Sequence, residues 1–243
     1  IVVLLGRKVL RESKGQSTGT RLDMVSVPLA TIGLASLTLG VLQGHKWGWL
    51  SPGIIASFAS AVIFLTYVVL RSSRHAEPLI DLSLFQHRRF TSASIATFAF
   101  NLPVAGFWFS APLFMQTVWH WSVLKSGCSI MPTPVIIFLT ATISGRYSDR
   151  GWMKRIISSG MLLSGLGLLG LFVFLDENVN YFTHYFPFAV LYGIGLGLAW
   201  STLTGAALMG IDHEKFGVAN GTNLTFRQMG GAMGVAMVIA VSG

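Results

Sequence analysis

The chain has 243 residues, of which 52% are hydrophobic and only 11% are charged. Soluble domains carry about 25% charged residues, and no soluble core could bury the apolar surface implied by a mean hydropathy of +0.64. A net charge of +8 can indicate nucleic acid or another acidic partner. The positions of the basic residues along the chain decide whether it does so here.

Seven apolar stretches separated by short polar connections run through the sequence. About 20 helical residues cross the hydrocarbon core of a bilayer, and the stretches have suitable lengths: residues 24–43, 51–70, 91–118, 127–145, 156–175, 185–209 and 217–242. Many of the 27 glycines lie inside these stretches, where small residues let helices pack closely in lipid. The sequence therefore predicts an all-α fold, a polytopic transmembrane helical bundle of about seven spans.

The basic residues lie in alternate connections. Fourteen of the 17 Lys and Arg residues stand on one side, in the connections at residues 6–22, 71–89, 146–155 and 215. The connections on the other side hold Lys46 and Lys125. Short loops rich in Lys and Arg stay in the cytoplasm. We therefore expect a multi-pass protein of the plasma (inner) membrane with its basic loops cytoplasmic, and no nucleic-acid partner. Four tryptophans are then expected at the outer interface: Trp47, Trp49, Trp119 and Trp121.

Two prolines and two amides mark the third stretch. Pro103 and Pro112 each remove a helix hydrogen bond, which favours a bend beside a cavity. Asn101 and Gln116 would supply polar groups to that cavity. Irregular packing without a cavity is the alternative interpretation of the same residues.

Small residues recur along the sixth stretch, at Gly193, Gly197, Ser201 and Thr204. Their spacing places them along one side of a helix. We interpret this stripe first as a close contact with a neighbouring helix. The alternative is that the stripe lines a cavity.

The last stretch carries Asn220, Asn223 and Arg227 on one helical face. Arg227 lies about 15 Å from the start of the helix near residue 217, at about 1.5 Å per residue, which is close to the middle of the membrane. An arginine at this depth costs about 2.5 to 3.5 kcal/mol on insertion scales, so it should face a cavity or a partner. We expect a substrate or gating cavity. The alternative is a structural arginine bound to carbonyls of a neighbouring helix.

A sequence that matches an enzyme motif lies in surroundings where that motif cannot function. Gly165, Gly167 and Gly170 spell the GxGxxG of nucleotide-binding loops, but they lie inside an apolar stretch with no preceding strand, where helix packing explains them. The sequence has no HExxH, no CxxC and no paired carboxylates within the apolar stretches. We therefore expect a protein that is not an enzyme, with no catalytic residues, no metal and no cofactor.

The connection GRYSDRGWMKR, residues 145–155, resembles the loop signature of the major facilitator superfamily. In that signature a glycine ends one helix, an acid follows four residues later, and basic residues complete the turn. The second glycine of the signature would fall at Trp152, whereas this chain has Gly151 one position earlier. The resemblance implies a cytoplasmic gating loop that contains Gly145, Asp149, Arg150, Lys154 and Arg155.

The resemblance extends over nearly the whole chain and narrows to the fourteen-span drug/proton antiporters of the EmrB/QacA type. The run RLDMVSVPLATIGLASLTLGVLQGHKWGW resembles their extra central spans, and GVANGTNLTFRQMGGAMGVA resembles their penultimate span, including its Arg-Gln pair. By this likeness, residues 1–22 end a preceding span and form a basic cytoplasmic loop. Residues 23–90 form two linker spans and a cytoplasmic loop, and residues 91–243 form the carboxy-terminal transporter bundle without its last span.

The resemblance implies a secondary transporter that exports small amphipathic compounds or drugs by alternating access, coupled to protons. Its partners would be a small-molecule substrate, protons, membrane lipid and the amino-terminal bundle of the same protein. The nine acidic residues fall in loops or at helix ends, so we expect the proton-binding carboxylate in that other bundle. The alternative is a sensor or assembly module that keeps the bundle and does not transport. The expected substrate cavity includes Asn101, Gln116, Asn220, Asn223 and Arg227.

Overall fold

The structure is a computed structural model that describes residues 25–72, 81–177, 180–212 and 215–242. Within these ranges the side chains of a few residues are not described: His45, Leu82, Asp149, Arg150 and Ser242. The first unit expected from the sequence, residues 1–22, lies outside the described residues.

All the regular elements in these described ranges are helical. Eight of them are α-helices: α1 (Ser26–Trp47), α2 (Pro52–Ser72), α3 (Arg88–Thr117), α4 (Val123–Ile130), α5 (Pro132–Tyr147), α6 (Met153–Phe174), α7 (Phe186–Leu208) and α8 (Phe216–Ser242). A short 3-10 helix, Leu82–Gln86, precedes α3. Single irregular turns at Ser148–Trp152 and Tyr181–Tyr185 precede α6 and α7.

Seven stretches of the described chain are long and apolar enough to cross a membrane, which confirms the predicted helical, multi-pass architecture. The fourth span differs from the single helix predicted over 127–145. It starts earlier, at Val123, and it is interrupted at Met131, where α4 ends and α5 begins. Pro132 and Pro134 follow the interruption. Both lack a backbone N–H, so they are tolerated in the first turn of a new helix and not within a continuous one.

Helix α7 lies at the centre of the bundle. It packs against α3, α5 and α6, and 50% of its span is buried, the largest share among the described spans. Helix α8 packs along α3, while α1 pairs with α2 and touches α8. The fold therefore consists of a bundle around α7 with the α1–α2 pair at its side.

Helix α6 contacts α7 through glycines. A Cβ atom at Gly160 would lie 2.7 Å from the Ala199 nitrogen, and one at Gly167 would lie 2.6 Å from the Tyr192 nitrogen. Side chains at these positions would collide with the backbone of α7. Gly165, by contrast, has no atom of another described helix within 4 Å of the equivalent position. The packing interpretation of the GxGxxG run is thus confirmed at Gly167 and at Gly170, where a Cβ atom would collide with the Phe188 ring of α7, and it does not extend to Gly165.

The small residues of α7 contact α5. A Cβ atom at Gly193 would lie 3.3 Å from the Ile136 side chain, and one at Gly197 would lie 2.6 Å from the Ile137 carbonyl oxygen. Ser201 continues the contact, because its hydroxyl lies 2.8 Å from the hydroxyl of Ser144. The interpretation of this stripe as a close helix contact is therefore confirmed for Gly193, Gly197 and Ser201, although Ser201 also lines a space of about 360 Å³, as the alternative expected.

Helices α3 and α8 touch through their backbones. A Cβ atom at Gly230 would collide with the carbonyl oxygen of Phe98, and one at Gly234 would collide with the carbonyl oxygen of Leu102. Glycine at both positions lets α8 approach the main chain of α3 directly. This contact sets the depth at which the polar residues of the two helices meet.

The two ends of the bundle are held differently. At the end that carries most of the described basic residues, here called the basic end, Lys215 Nζ lies 2.6 Å from Asp81 Oδ2 and donates to the Ser83 hydroxyl at 2.9 Å. At the opposite end, Trp119 Nε1 donates to the Asp176 carbonyl at 3.0 Å. The hydroxyl of Tyr181 donates to the Ser129 carbonyl at 2.8 Å. Each end thus joins connections that are far apart in sequence.

Trp119 differs from the expected interfacial tryptophans. Its side chain is only 5% exposed, and its ring packs against Trp121 at 5.0 Å between centroids and against Tyr185 at 6.4 Å. Trp47 and Trp49 are about half exposed, and their position at the outer interface stays a prediction. Trp119 is buried because its ring fills the aromatic cluster at the opposite end, while its N–H finds a carbonyl acceptor there.

Candidate functional site

Arg227 meets Trp200 near the middle of the spans. Arg227 lies three turns into α8, about 17 Å from Phe216 at about 1.5 Å per residue. Its guanidinium carbon lies 4.6 Å from the centroid of the Trp200 ring on α7. A cation over an indole face is attracted by the ring quadrupole, by about 0.5 to 2 kcal/mol depending on desolvation. Trp200 therefore covers one face of the guanidinium group.

Asn101 holds the backbone of α8 at the level of Arg227. The side chain of Asn101 is 9% exposed, and its Nδ2 donates to the Arg227 carbonyl oxygen at 2.6 Å. Gly231 provides the necessary space, because a Cβ atom there would lie 2.9 Å from the same Nδ2. The amide thus fixes the position of Arg227 relative to α3.

These residues line a cavity of about 430 Å³ between α3, α7 and α8. Arg227 is the one charged side chain among the described residues that line it. In the described part of the chain its guanidinium has no ion pair and no hydrogen bond. The alternative interpretation, an arginine that binds carbonyls of a neighbouring helix, therefore has no support among these residues. The aromatic and polar lining residues are Asn101, Trp108, Phe109, Trp200, Arg227 and Gln228.

The other predicted cavity residues lie elsewhere. Asn223 is 3% exposed, and its Nδ2 lies 3.3 Å from the hydroxyls of Ser94 and Thr97, so it joins α8 to α3. Asn220 is exposed one turn before Asn223. Gln116 lies in the last turn of α3, about 22 Å along the helix from Asn101 at about 1.5 Å per residue. The structure therefore brings Asn101 and Arg227 to one cavity and separates Gln116 from it.

Pro103 lies beside a different cavity. Helix α3 continues through Pro103 and Pro112, and Pro103 lines an apolar space of about 570 Å³ between α3, α6 and α8. Leu171 and Val238 are among its other walls. A cavity lies beside this proline, as one of the two interpretations expected, but Asn101 lines the cavity on the other side of the helix and Gln116 lines neither.

The predicted gating loop forms the turn between α5 and α6. Gly151 has a φ of +84°, the left-handed conformation that favours glycine, so the turn is made one position before Trp152. No atom of another described helix lies within 4 Å of a Cβ position at Gly145, so no close helix contact is made there within the described residues. Lys154 and Arg155 are exposed at the start of α6. The side chains of Asp149 and Arg150 lie outside the described part.

Sequence reasoning missed the aromatic walls of the cavity. Trp108 and Trp200 lie within apolar stretches, where an aromatic residue is ordinarily a packing residue. Only the position of Arg227 opposite Trp200 in space distinguishes them. Gln228 lines the same cavity, and its neighbour in sequence, Arg227, is the signal that could have identified it.

Comparisons with known proteins agree with this architecture. Residues 19–235 match the family model of the Major Facilitator Superfamily. The chain is 29% identical to the multidrug transporter protein MdtP of Bacillus subtilis (strain 168) over 93% of the chain and 42% of that protein. It is 28% identical to the cephamycin export protein CmcT of Amycolatopsis lactamdurans over 100% of the chain and 50% of that protein.

A third relative is the tetracenomycin C resistance and export protein of Streptomyces glaucescens, which is 24% identical over 97% of the chain and 44% of that protein. The chain thus spans about half the length of these curated relatives. The family match covers most of the chain and agrees with its helical spans. The chain therefore belongs to the major facilitator superfamily.

Proposed function

We propose that this chain is the carboxy-terminal half of a proton-coupled exporter of small amphipathic compounds. Family membership supports transport, and the relatives named for export of drugs or antibiotics support the outward direction. The observation that carries the proposal is the mid-span cavity, where Arg227 is held by Asn101 and Trp200. An arginine at this depth is costly in lipid, and a transported solute is a reason for it.

The cavity forms one half of the substrate site in this proposal, and the amino-terminal bundle supplies the other half. Alternating access in such transporters comes from rocking one bundle against the other around a site at the membrane midplane. The backbone contacts of α3 with α8 and of α6 with α7 keep this half rigid during the movement. Residues 91–243 form the moving bundle, and residues 23–90 contribute the linker spans.

The basic loops face the cytoplasm of the plasma membrane in this proposal, as the positive-inside rule predicts. The loop with Gly145, Asp149 and Lys154 then contacts the amino-terminal bundle when the cytoplasmic side is closed. The open space at Gly145 supports such a contact, since no described part of this chain occupies it.

Protons bind in the other bundle in this proposal. The acidic residues of the described chain lie outside its spans: Asp81, Asp149, Asp176, Glu177 and Asp212. A carboxylate that takes up and releases a proton during export has to be accessible to protons from each side of the membrane in turn. A residue in a fixed loop is accessible from one side only. This half therefore contributes the cavity wall and Arg227.

Transport by the complete reading frame tests the proposal. Inside-out vesicles are energised with a pH gradient, a panel of amphipathic drugs is added, and release of the gradient is followed for the wild type and Arg227→Ala at matched expression. We expect drug-dependent release with the wild type and its loss in the variant. Gradients that stay constant with every drug would contradict proton-coupled export.

The same experiment separates the second candidate function, a sensor or assembly module. Such a module would show no drug-dependent release in the wild type, and Arg227→Ala would change only its stability. Thermal unfolding of both purified proteins supplies the control, because a transporter should lose flux in the variant while its unfolding temperature changes little.

A further inference from the structure

The cavity beside Trp200 has a positive charge and no negative charge among the described residues. Arg227 lies in the middle of α8, whereas Asp81, Asp176 and Asp212 lie at the ends of the bundle. Charges in the low-dielectric interior of a membrane protein are weakly screened, and an opposite charge at contact distance is the stabilising complement. The described residues supply no such complement.

The geometry of Arg227 suits a planar anion. Trp200 covers one face of the guanidinium group at 4.6 Å, and Asn101 uses its Nδ2 on the Arg227 carbonyl and not on the side chain. The N–H donors at the edge of the guanidinium thus have no acceptor among the described residues. These donors form a fork that matches the two oxygens of a carboxylate.

Aromatic surfaces stand beside this fork. Trp108, Phe109 and Trp200 line the same cavity of about 430 Å³. Flat aromatic molecules bury apolar area against such rings, while a cation at the same place would meet the charge of Arg227. The walls therefore combine attraction for an aromatic body with selection for a negative charge.

We propose that this cavity selects aromatic anions, such as aromatic carboxylates and phenolates, over aromatic cations. The inference rests on the proposed export function and specifies the substrate class of that site. Hydrogen bonds to a charged partner contribute about 1.5 to 3 kcal/mol, so an anion should bind at least about tenfold more tightly than a cation of the same shape.

Binding of two dyes with a common xanthene core tests this selection. The probes are fluorescein, an anion, and tetramethylrhodamine methyl ester, a cation, and fluorescence polarisation measures their affinities for the purified complete protein in detergent. We expect at least about tenfold tighter binding of fluorescein. Arg227→Gln should remove this preference, and Arg227→Lys should keep part of it, because the lysine retains the charge without the planar fork.

Lys125→Gln is the matched control. Lys125 Nζ also lies over an indole, 4.0 Å from the centroid of the Trp121 ring, but it is exposed at the opposite end. Its replacement should leave the preference unchanged. Equal or tighter binding of the cation by the wild type, no binding of either dye, or a preference that survives in Arg227→Gln would overturn the inference.

Equal losses of both dyes in Arg227→Gln would also overturn the inference, since they would assign the arginine to pairing with a carboxylate of the other bundle. Failure of the export proposal is a separate result. It would appear as the absence of drug-dependent release of the pH gradient, whereas the dye preference is measured without any gradient.

Discussion

Asn101 and Arg227 act together although 126 positions separate them in the sequence. Asn101 binds the main chain of Arg227 and leaves its side chain to the cavity. The amide is therefore a positioning residue, and the guanidinium is the group that would contact a solute. Gly231 belongs to the same unit, because any larger residue would displace the amide.

Gly231→Ala should weaken fluorescein binding through its effect on Asn101. The methyl would lie against Asn101 Nδ2, and loss of the partly buried hydrogen bond from Asn101 to the Arg227 carbonyl would cost about 0.5 to 1.5 kcal/mol. We expect about a two- to tenfold loss of affinity, with a similar loss in Asn101→Ala. Dye polarisation with the complete protein measures both.

Gly221→Ala is the control for that substitution, since it lies on the same helix and has no described atom within 4 Å of its Cβ position. Its affinity should equal that of the wild type. If Gly231→Ala and Gly221→Ala behave alike, the positioning role of Asn101 is contradicted.

The sequence could predict part of this site for a physical reason. An arginine or asparagine within an apolar stretch is costly, so Asn101, Asn223 and Arg227 could be singled out without a structure. Their partners could not. Trp200 looks like any apolar residue in sequence, and the separation of Gln116 from Arg227 depends on how α3 and α8 are aligned. The depth of a residue in the membrane can be counted along its helix, whereas its partners on other helices are known only once the packing of the helices is known.

The side of a helix on which its glycines lie determines which neighbouring helix it can approach closely. Gly167 of α6 meets the backbone of α7, whereas Gly165, two positions earlier, points into open space. The two residues are indistinguishable by composition and spacing, and only the direction of the helix face separates them. The same reasoning distinguishes Gly230 and Gly234 of α8 from Gly221.

Gly167→Ala should destabilise the bundle and Gly165→Ala should not. An alanine methyl at residue 167 would lie 2.6 Å from the Tyr192 nitrogen, so α6 and α7 would have to separate, at a cost of about 1 to 3 kcal/mol for overpacking. Thermal unfolding of the purified complete protein measures the difference. Equal unfolding temperatures for the two variants would contradict the packing of α6 on α7.

The contact between Asp81 and Lys215 joins the connection before α3 to the connection before α8. Partial burial by itself would raise the pKa of Asp81, but hydrogen bonds from Lys215 and Ser83 outweigh it and hold that pKa below its ordinary value of 3.8. A carboxylate with a lowered pKa in the folded state stabilises the fold above its unfolded pKa. The contribution is lost as the pH falls through the lowered value.

Asp81→Asn should therefore lower the unfolding temperature at neutral pH and have no effect at pH values well below the ordinary range of aspartate. Lys215 is 44% exposed, so the loss at neutral pH should be small, about 0.2 to 1 kcal/mol. Unfolding curves of the wild type and the variant across this pH range provide the measurement. A difference that persists in acid would show that the ion pair is not its cause.

At the scale of the whole molecule, the basic loops predict the orientation in the membrane. In a cysteine-free version of the complete protein, Glu177→Cys places a thiol at the opposite end and Met209→Cys places one at the basic end; both positions are exposed. A membrane-impermeant maleimide added to intact cells should label only Glu177→Cys. Both should react after permeabilisation, which controls for accessibility. The reverse pattern would contradict the assigned orientation.

The number and limits of the spans could be predicted well because hydrocarbon thickness imposes a length on every helix. The break at Met131 was missed, since apolar residues continue on both sides of it and only Pro132 and Pro134 mark the change. The burial of Trp119 was missed because an indole near a helix end suits lipid headgroups and protein cores equally. Length is a property of each stretch, whereas burial depends on neighbours that are remote in sequence.

The direct contact of main chains between α3 and α8 has a consequence for how such a protein can evolve. Gly230 meets the Phe98 carbonyl and Gly234 meets the Leu102 carbonyl, so the frame of the cavity rests on these main-chain contacts and on Asn101, and not on the small apolar side chains of its walls. Val104, Ala105 and Val235 line the cavity and can change in size without shifting that frame. In the proposed exporter, substitutions that adapt the cavity to a new compound should accumulate at these wall positions, while residues 230 and 234 remain glycine.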